Sequence, residues 1–396
     1  MPPFRPFPGI RYDLAHVDLG DVISPPYDVI DDGERARLAA RSPYNAVRID
    51  LPVDEGGEDR YAVADRLFSR WQAEGVLLRD RQPTFTVYRM SYADDAGVAR
   101  RTTGVIGALD LRPSGADILP HEQTTPKARS DRLDLLRACR ANLSAIWGLS
   151  LAKGLTDLLP VDADPVADVD DGEGVRHTVW IVDRPEVSDA IAAAVAAQPV
   201  VIADGHHRYE TALTYLAERE RSEGQAGGAA ATLAFVVELV EDELTVRAIH
   251  RLLNGLSAGF DLVAALEPWF EPVGPPPAGV PVTAAMIDGG ALCAVLPGGE
   301  VMLRPRSDAL ADARDLDSAR LDVALASLPA HEVTFQHGPD NVRRAVATGE
   351  AQAGVLLRPA SVAQIEATAH GGERMPPKTT FFHPKPRTGL VFRDLD

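Results

Sequence analysis

The spacing of apolar residues along this chain changes repeatedly between helical and strand periods. Residues 61–75 place Ala64, Leu67, Phe68 and Trp71 on one helical face, with Gly75 positioned to end the helix. Asp31 and Asp32 precede a helical pattern over 34–40 and supply its N-cap. The period then shortens. Residues 83–90 and 104–111 predict two strands, and the polar run Asp94-Asp95-Ala96-Gly97 between them predicts a hairpin. Thr125 and Pro126 cap and open a helix to Arg140 that carries Lys127, Arg129, Arg132, Arg137 and Arg140. Strands are predicted at 145–151 and 179–182, and a helix at 187–197. Beyond residue 230, strands are predicted at 233–240, 244–249, 282–287, 292–296, 301–304 and 353–357, with helices near 317–328 and 362–369. The acidic stretch 157–175 has the composition of a solvated loop, and 274–279, with three prolines, that of a linker.

Strands and helices interleaved in this way define a mixed α+β protein. Three regions are expected: an N-terminal α+β region at 1–155, a core at 176–273, and a C-terminal α+β region at 280–396. The core contains the most informative stretch, Val200-Val201-Ile202-Ala203-Asp204-Gly205-His206-His207-Arg208-Tyr209-Glu210. Its apolar β-branched run predicts a buried strand. Tyr209, Ala212, Leu213 and Leu216 then fall on one helical face. A strand, a tight turn and a helix start leave backbone N–H groups and a positive dipole end pointing outward, where an anion can sit. Gly205 allows close backbone approach. A strand–glycine–helix junction alone is often only a packing turn. Asp204, His206, His207 and Arg208 together are hard to explain by packing, because charged groups are rarely buried without partners.

Composition narrows the classes. The 396 residues are 45% hydrophobic and 25% charged, an ordinary globular balance. The net charge of −18 argues against general nucleic-acid binding, which needs a basic surface, but permits a small anion in a local basic pocket. Cys139 and Cys293 form no metal spacing and read as reduced thiols. The first twelve residues have no apolar signal-peptide core, and no run reaches the ~18 apolar residues needed to span a bilayer. The expectation is a cytoplasmic protein without membrane contact; oligomeric state is not legible. No Walker A pattern, dinucleotide fingerprint or G-x-S-x-G elbow is present.

Other clusters carry chemistry of their own. His121-Glu122, ahead of the basic helix, offers a general base or a ligand for a divalent ion; equally, it reads as a solvent-facing loop with a helix cap. A zinc site built from His121, Glu122, His206 and His207 is the rival reading. Adjacent helical residues point ~100° apart, however, and make an awkward ligand pair. His250-Arg251 is predicted at a strand end, and the tail Pro376-Pro377-Lys378-Thr379-Thr380 is basic and hydroxyl-rich. Either could face an anion, or serve only packing.

Five elements in order resemble the bacterial and archaeal family called domain of unknown function 1015. They are Ser24-Pro25-Pro26-Tyr27-Asp28-Val29-Ile30, His121-Glu122-Gln123-Thr124 with Lys127 and Asp131-Arg132-Leu133, the 202–213 turn, His250-Arg251, and Met375-Pro376-Pro377-Lys378-Thr379-Thr380 with Phe382-His383-Pro384-Lys385. Ile249, where threonine is usual, and Thr379, where serine is usual, are small departures. The Asp-Gly-His-His-Arg element is similar to that of the ParB-like, sulfiredoxin and free serine kinase superfamily. The resemblance implies a nucleotide-binding core of that type carrying a large insertion.

By that analogy the protein would be a Mg²⁺-dependent phosphotransferase using ADP or ATP on a small hydroxylated metabolite such as free serine. The alternatives are a non-catalytic, nucleotide-responsive binding protein and a metal-dependent hydrolase. Asp204 and Glu122 would hold Mg²⁺ or activate the hydroxyl, with His207 as a further catalytic residue. Gly205, His206 and Arg208 would bind phosphates with His207. Lys127, Arg132, His250, Arg251, Lys378 and Thr379 are the remaining candidates for cofactor binding.

Overall fold

A computed structural model describes residues 2–94, 97–113, 117–120, 129–224, 226–371 and 374–396. The chain is mixed α+β and forms two compact units. The first comprises residues up to Thr245 together with Pro384–Asp396, and the second is Val246–His383.

The first unit is built on a nine-stranded sheet in the order Ile118–Pro120, Val200–Asp204, Ile146–Ser150, Ala231–Glu238, Ala99–Asp110, Phe85–Ala93, Arg176–Val182 and Ala167–Asp170, with Phe4–Arg5 added beside Ala99–Asp110. The expected hairpin is present: Phe85–Ala93 pairs antiparallel with Ala99–Asp110 from Thr86 opposite Ile106 to Ala93 opposite Ala99. The central strand Ala231–Glu238 is buried at all eight residues, as expected for a strand covered on both faces. Phe4, Phe85, Val105, Ile146, Val200, Ile202 and Val236 form one core. Ile191 and Val195 of helix Pro185–Ala196 join it, as do Tyr209 and Ala212 of helix His206–Glu223. Gly107 has no side chain because Phe4 and Phe85 stack across it; a Cβ there would lie 2.5 Å from the Phe4 ring.

The acidic stretch 157–175 departs from the expected solvated loop. Ala167–Asp170 forms an edge strand on Arg176–Val182, with alternate residues half-buried and exposed. Asp171 is buried, where His177 Nε2 lies 3.0 Å from its Oδ2 and Arg387 also bonds it. High acidity therefore marks one face of a strand here, with a buried ion pair at its end.

The segment Pro384–Asp396 is sewn into this unit. Ser24 and Thr388 exchange backbone hydrogen bonds of 3.1 and 2.8 Å, and Ile10 and Phe392 exchange bonds of 2.9 and 2.8 Å. Arg393 donates to the carbonyls of Ala231 (2.9 Å) and Gly228 (2.8 Å).

The second unit has a seven-stranded sheet in the order Phe270–Gly274, Gly299–Pro305, Leu292–Leu296, Ala353–Leu356, Thr245–Asn254 and Glu332–His337, with Thr380–His383 also on Thr245–Asn254. Alternate residues of one strand enter two different cores: Leu292 and Ala294 one, Cys293 and Val295 the other. Residues 282–287, expected as a strand, are part of helix Val282–Gly289. Val282, Ala285 and Met286 are its buried positions, a spacing of three and four. Of the 274–279 stretch, Gly274 ends strand Phe270–Gly274 and the rest is a loop within this unit, ahead of that helix. Both cysteines are buried and free. Among the described residues, no helix is long and apolar enough to cross a membrane.

Candidate functional site

The Val200–Asp204 strand lies between Ile118–Pro120, parallel to it, and Ile146–Ser150, antiparallel to it. Its register shifts between Ile202 and Asp204, and a bulge of this kind re-aims the side chain that follows. Gly205 then turns through φ 85°, a left-handed conformation that side chains disfavour, and His206–Glu223 begins at once. Among the described residues, no side chain caps this helix start. A Cβ on Gly205 would lie 3.0 Å from Arg208 Nε, so the glycine also makes room for the arginine folding back over the turn.

Arg208 Nη2 donates to Asp204 Oδ2 at 2.8 Å, and its Nη1 bonds the Ala145 carbonyl. On the other side Lys385 donates to Asp204 Oδ1. Two cations thus hold one carboxylate. Burial pushes Asp204 up, but the charges of Lys385 and Arg208 more than offset this and bring its pKa down to about 2. Asp28, exposed at the turn after the two prolines, moves the other way: the surrounding protein raises it, and so does the charge of Asp204. Tyr27 beside it lies 4.0 Å below the Arg132 guanidinium and 6.0 Å from that of Arg208. Burial pushes the Tyr27 phenol up to about 12, so it stays protonated at neutral pH. Arg132 is buried, donating to the Asp50 carbonyl at 2.6 Å and to Asp131 Oδ2 at 2.8 and 2.6 Å.

The structure therefore brings together Asp204, Gly205, Arg208 and Arg132 of the expected residues. His206 contributes to the field at Asp204. His207, next on the helix, is half-buried, and its Nδ1 has no hydrogen-bond partner among the described residues. Glu122, Lys127 and His121 lie outside the described residues. Asp28, Tyr27, Asp50 and Lys385 complete the cluster and were not singled out for it. Asp28 and Lys385 stood in quoted motifs, and their charge was the available signal.

The candidates of the second unit form a separate group within it. His250 and Arg251 lie inside the Thr245–Asn254 strand, not at its end, and both are buried. His250 Nδ1 accepts the Leu357 N–H at 3.2 Å. Arg251 Nη1 donates to the carbonyls of Ile249 (2.7 Å) and Lys378 (3.0 Å), and its guanidinium lies 4.7 Å from the Phe335 ring centre. Burial, with His337 and Arg251 nearby, pushes His250 down to about 4. Thr379 Oγ1 bonds the Pro376 carbonyl at 2.7 Å and Ser318 Oγ at 2.8 Å. The Lys378 side chain is exposed on a left-handed backbone of φ 58°.

Among the described residues, no group of three or more His, Cys, Asp or Glu is placed to hold a metal. Mg²⁺ needs fewer protein ligands, since it is commonly held by one or two carboxylates plus substrate phosphates. The hard oxygens of Asp204, with Asp28 close enough to affect its titration, fit that donor set.

Fold and turn together define a mixed α+β protein whose large-sheet unit presents an uncapped helix start beside a doubly clasped carboxylate. The chain belongs to the family described as "Protein of unknown function (DUF1015)", whose match spans residues 4–324. No curated protein matches it in sequence. Similar solved structures include a mutant free serine kinase in complex with AMP, at 12% identity over 74% of this chain and 91% of that chain, with a TM-score of 0.40. SbnI with a C-terminal truncation, from Staphylococcus aureus, gives 13% identity over 73% and 87%, with a TM-score of 0.41. A conserved hypothetical protein from Pyrococcus furiosus gives 11% identity over 69% and 90%, with a TM-score of 0.36.

Proposed function

We propose that the first unit binds a nucleoside phosphate, ADP or ATP, at the Gly205–Arg208 turn and transfers a phosphoryl group to a small hydroxylated metabolite. The observation that carries this reading is the uncapped start of helix His206–Glu223 directly above a carboxylate held by both Arg208 and Lys385. Amides at a helix start favour an anion, and phosphoryl transfer needs mainly positioning and charge neutralisation. The helix amides, His206, His207 and Arg208 would take the phosphate oxygens, with Lys385 as a further cation. Asp204 would hold Mg²⁺, which supplies charge neutralisation on the transferring phosphate when bound. Asp28, whose proton affinity is raised while that of Asp204 is lowered, is the better general base for the acceptor hydroxyl. Two carboxylates driven apart in this way mark divided acid–base roles.

The test is calorimetric titration of the full chain with ADP and ATP in Mg²⁺. Incubation with a panel of hydroxy and amino acids follows, with ³¹P NMR detection of product. Micromolar nucleotide binding and a phosphorylated acceptor are expected. Absence of nucleotide binding would overturn the reading; binding without any product would leave a nucleotide-responsive binding protein.

A further inference from the structure

Behind the Gly205 turn, wholly within the first unit, lies a cavity of about 50 Å³ lined by Asp50, Arg132, Asn142, Ser144, Arg208 and Thr211 among others. One water needs roughly 10–15 Å³ of such space, so the cavity admits a head group of a few heavy atoms. Two of its walls are unsatisfied. Thr211 is 4% exposed, and its Oγ1 has no hydrogen-bond partner among the described residues. The same holds for Nε of Arg208, whose side chain is 10% exposed. The two residues are three apart on helix His206–Glu223 and so share a face. Buried polar groups are rarely left without partners, and each exception calls for an explanation.

The acceptors in the same cavity are already engaged. Asp50 takes Ser144 Oγ at 3.2 Å and Thr388 Oγ1 at 3.3 Å, with Arg132 Nη1 at 3.6 Å. What remains over is donor capacity, the Arg208 Nε–H and the Thr211 hydroxyl, beside the positive charge of an Arg132 whose own donors are taken by Asp131 and the Asp50 carbonyl. Guanidinium donors bind an ionised oxygen more strongly than a neutral one.

We propose that this cavity is a subsite for an anionic oxygen head, carboxylate or phosphate, carried by the acceptor molecule. Arg208 would link its two halves, clasping Asp204 at the turn with Nη2 and the guest with Nε. The assignment of the guest as the acceptor rests on the reading of the turn as a phosphotransfer site; the head-group chemistry rests on the cavity alone.

Titrating the full chain with inorganic phosphate, glycerate and glycerol tests this, with Mg²⁺-ADP titrated separately. Saturable binding of phosphate or glycerate and none of glycerol is expected, and the stronger of the two ions names the head group. Thr211→Val should weaken that ion roughly tenfold or more while leaving Mg²⁺-ADP affinity in place, and Thr211→Ser should restore it. In the unsubstituted protein the Arg208 Nε–H resonance should shift on adding the ion. A cavity filled only by water gives no saturable binding and no shift, and overturns the proposal, as does equal affinity in Thr211→Val. Ion binding that persists where ADP does not bind keeps the subsite and removes the phosphotransfer reading.

Discussion

Asp204–Arg208 runs from a strand end into a helix in one unit, and His250–Arg251 lies inside a strand of the other; both carry histidine and arginine, yet their surroundings give them opposite characters. At Asp204 a bulge and a left-handed glycine end the strand, and charged groups from three further segments converge on the carboxylate: Tyr27-Asp28, the 206–223 helix and Lys385. At His250 the strand continues to Asn254, and backbone partners engage both side chains. A basic residue followed through by regular pairing becomes scaffold. Arg208, on the helix beyond an interrupted strand, keeps an Nε–H with no hydrogen-bond partner among the described residues.

Asp204→Asn should have the largest effect. It leaves Arg208 and Lys385 without their shared charge and removes the carboxylate proposed to hold Mg²⁺. Nucleotide-dependent turnover is expected to fall on the order of 10²–10³-fold, read by ³¹P NMR, with little change in secondary structure by circular dichroism. Arg251→Ala should do the reverse, lowering stability by about 3 kcal/mol in denaturant titrations while ADP affinity holds. Loss of ADP binding in Arg251→Ala would break the contrast between the two regions.

Much of this contrast was hidden in the sequence. The strand–turn–helix at 200–216 was legible because its periodicity changes at one glycine. The 85–110 hairpin was legible from its alternation and its polar turn. His250-Arg251 was misplaced by a few residues, because the apolar run weakens at Ile249 while pairing with Glu332–His337 carries the strand onward. Local periodicity cannot report a partner as far along the chain as Glu332–His337. Lys385 posed the same difficulty: its meeting with Asp204 depends on a tail that returns to the first unit after 138 residues of the second. The helix at 282–289 was misread because a short apolar run does not separate the two periods.

A smaller effect sharpens the contrast by pH. His250 falls from 6.5 to about 4 in the folded chain. Between those values the unfolded chain takes up a proton that the folded chain refuses. Its contribution is whole above pH 6.5 and is lost as pH drops toward 4, by about 3 kcal/mol at most. Denaturant midpoints across this range should flatten in His250→Gln. Asp204 works in a lower window: its depressed pKa stabilises above the ordinary carboxylate value and is lost as pH falls toward 2. Gly205→Ala should cost about 1–2 kcal/mol, since φ 85° is strained for alanine; thermal melting checks this. Lys385→Met should do least to stability and raise the Asp204 pKa from about 2 toward ordinary values, read by carboxyl-detected NMR.

The return of residues 384–396 fixes an order of events during synthesis. A ribosome delivers the whole of the second unit before it delivers Lys385, Thr388 and Phe392. The second unit can therefore fold while the first still lacks the strap that fastens Ser24 and Ile10. Until that strap arrives, Asp204 has one cation instead of two, so a nascent chain halted before Pro384 should not yet carry a finished site.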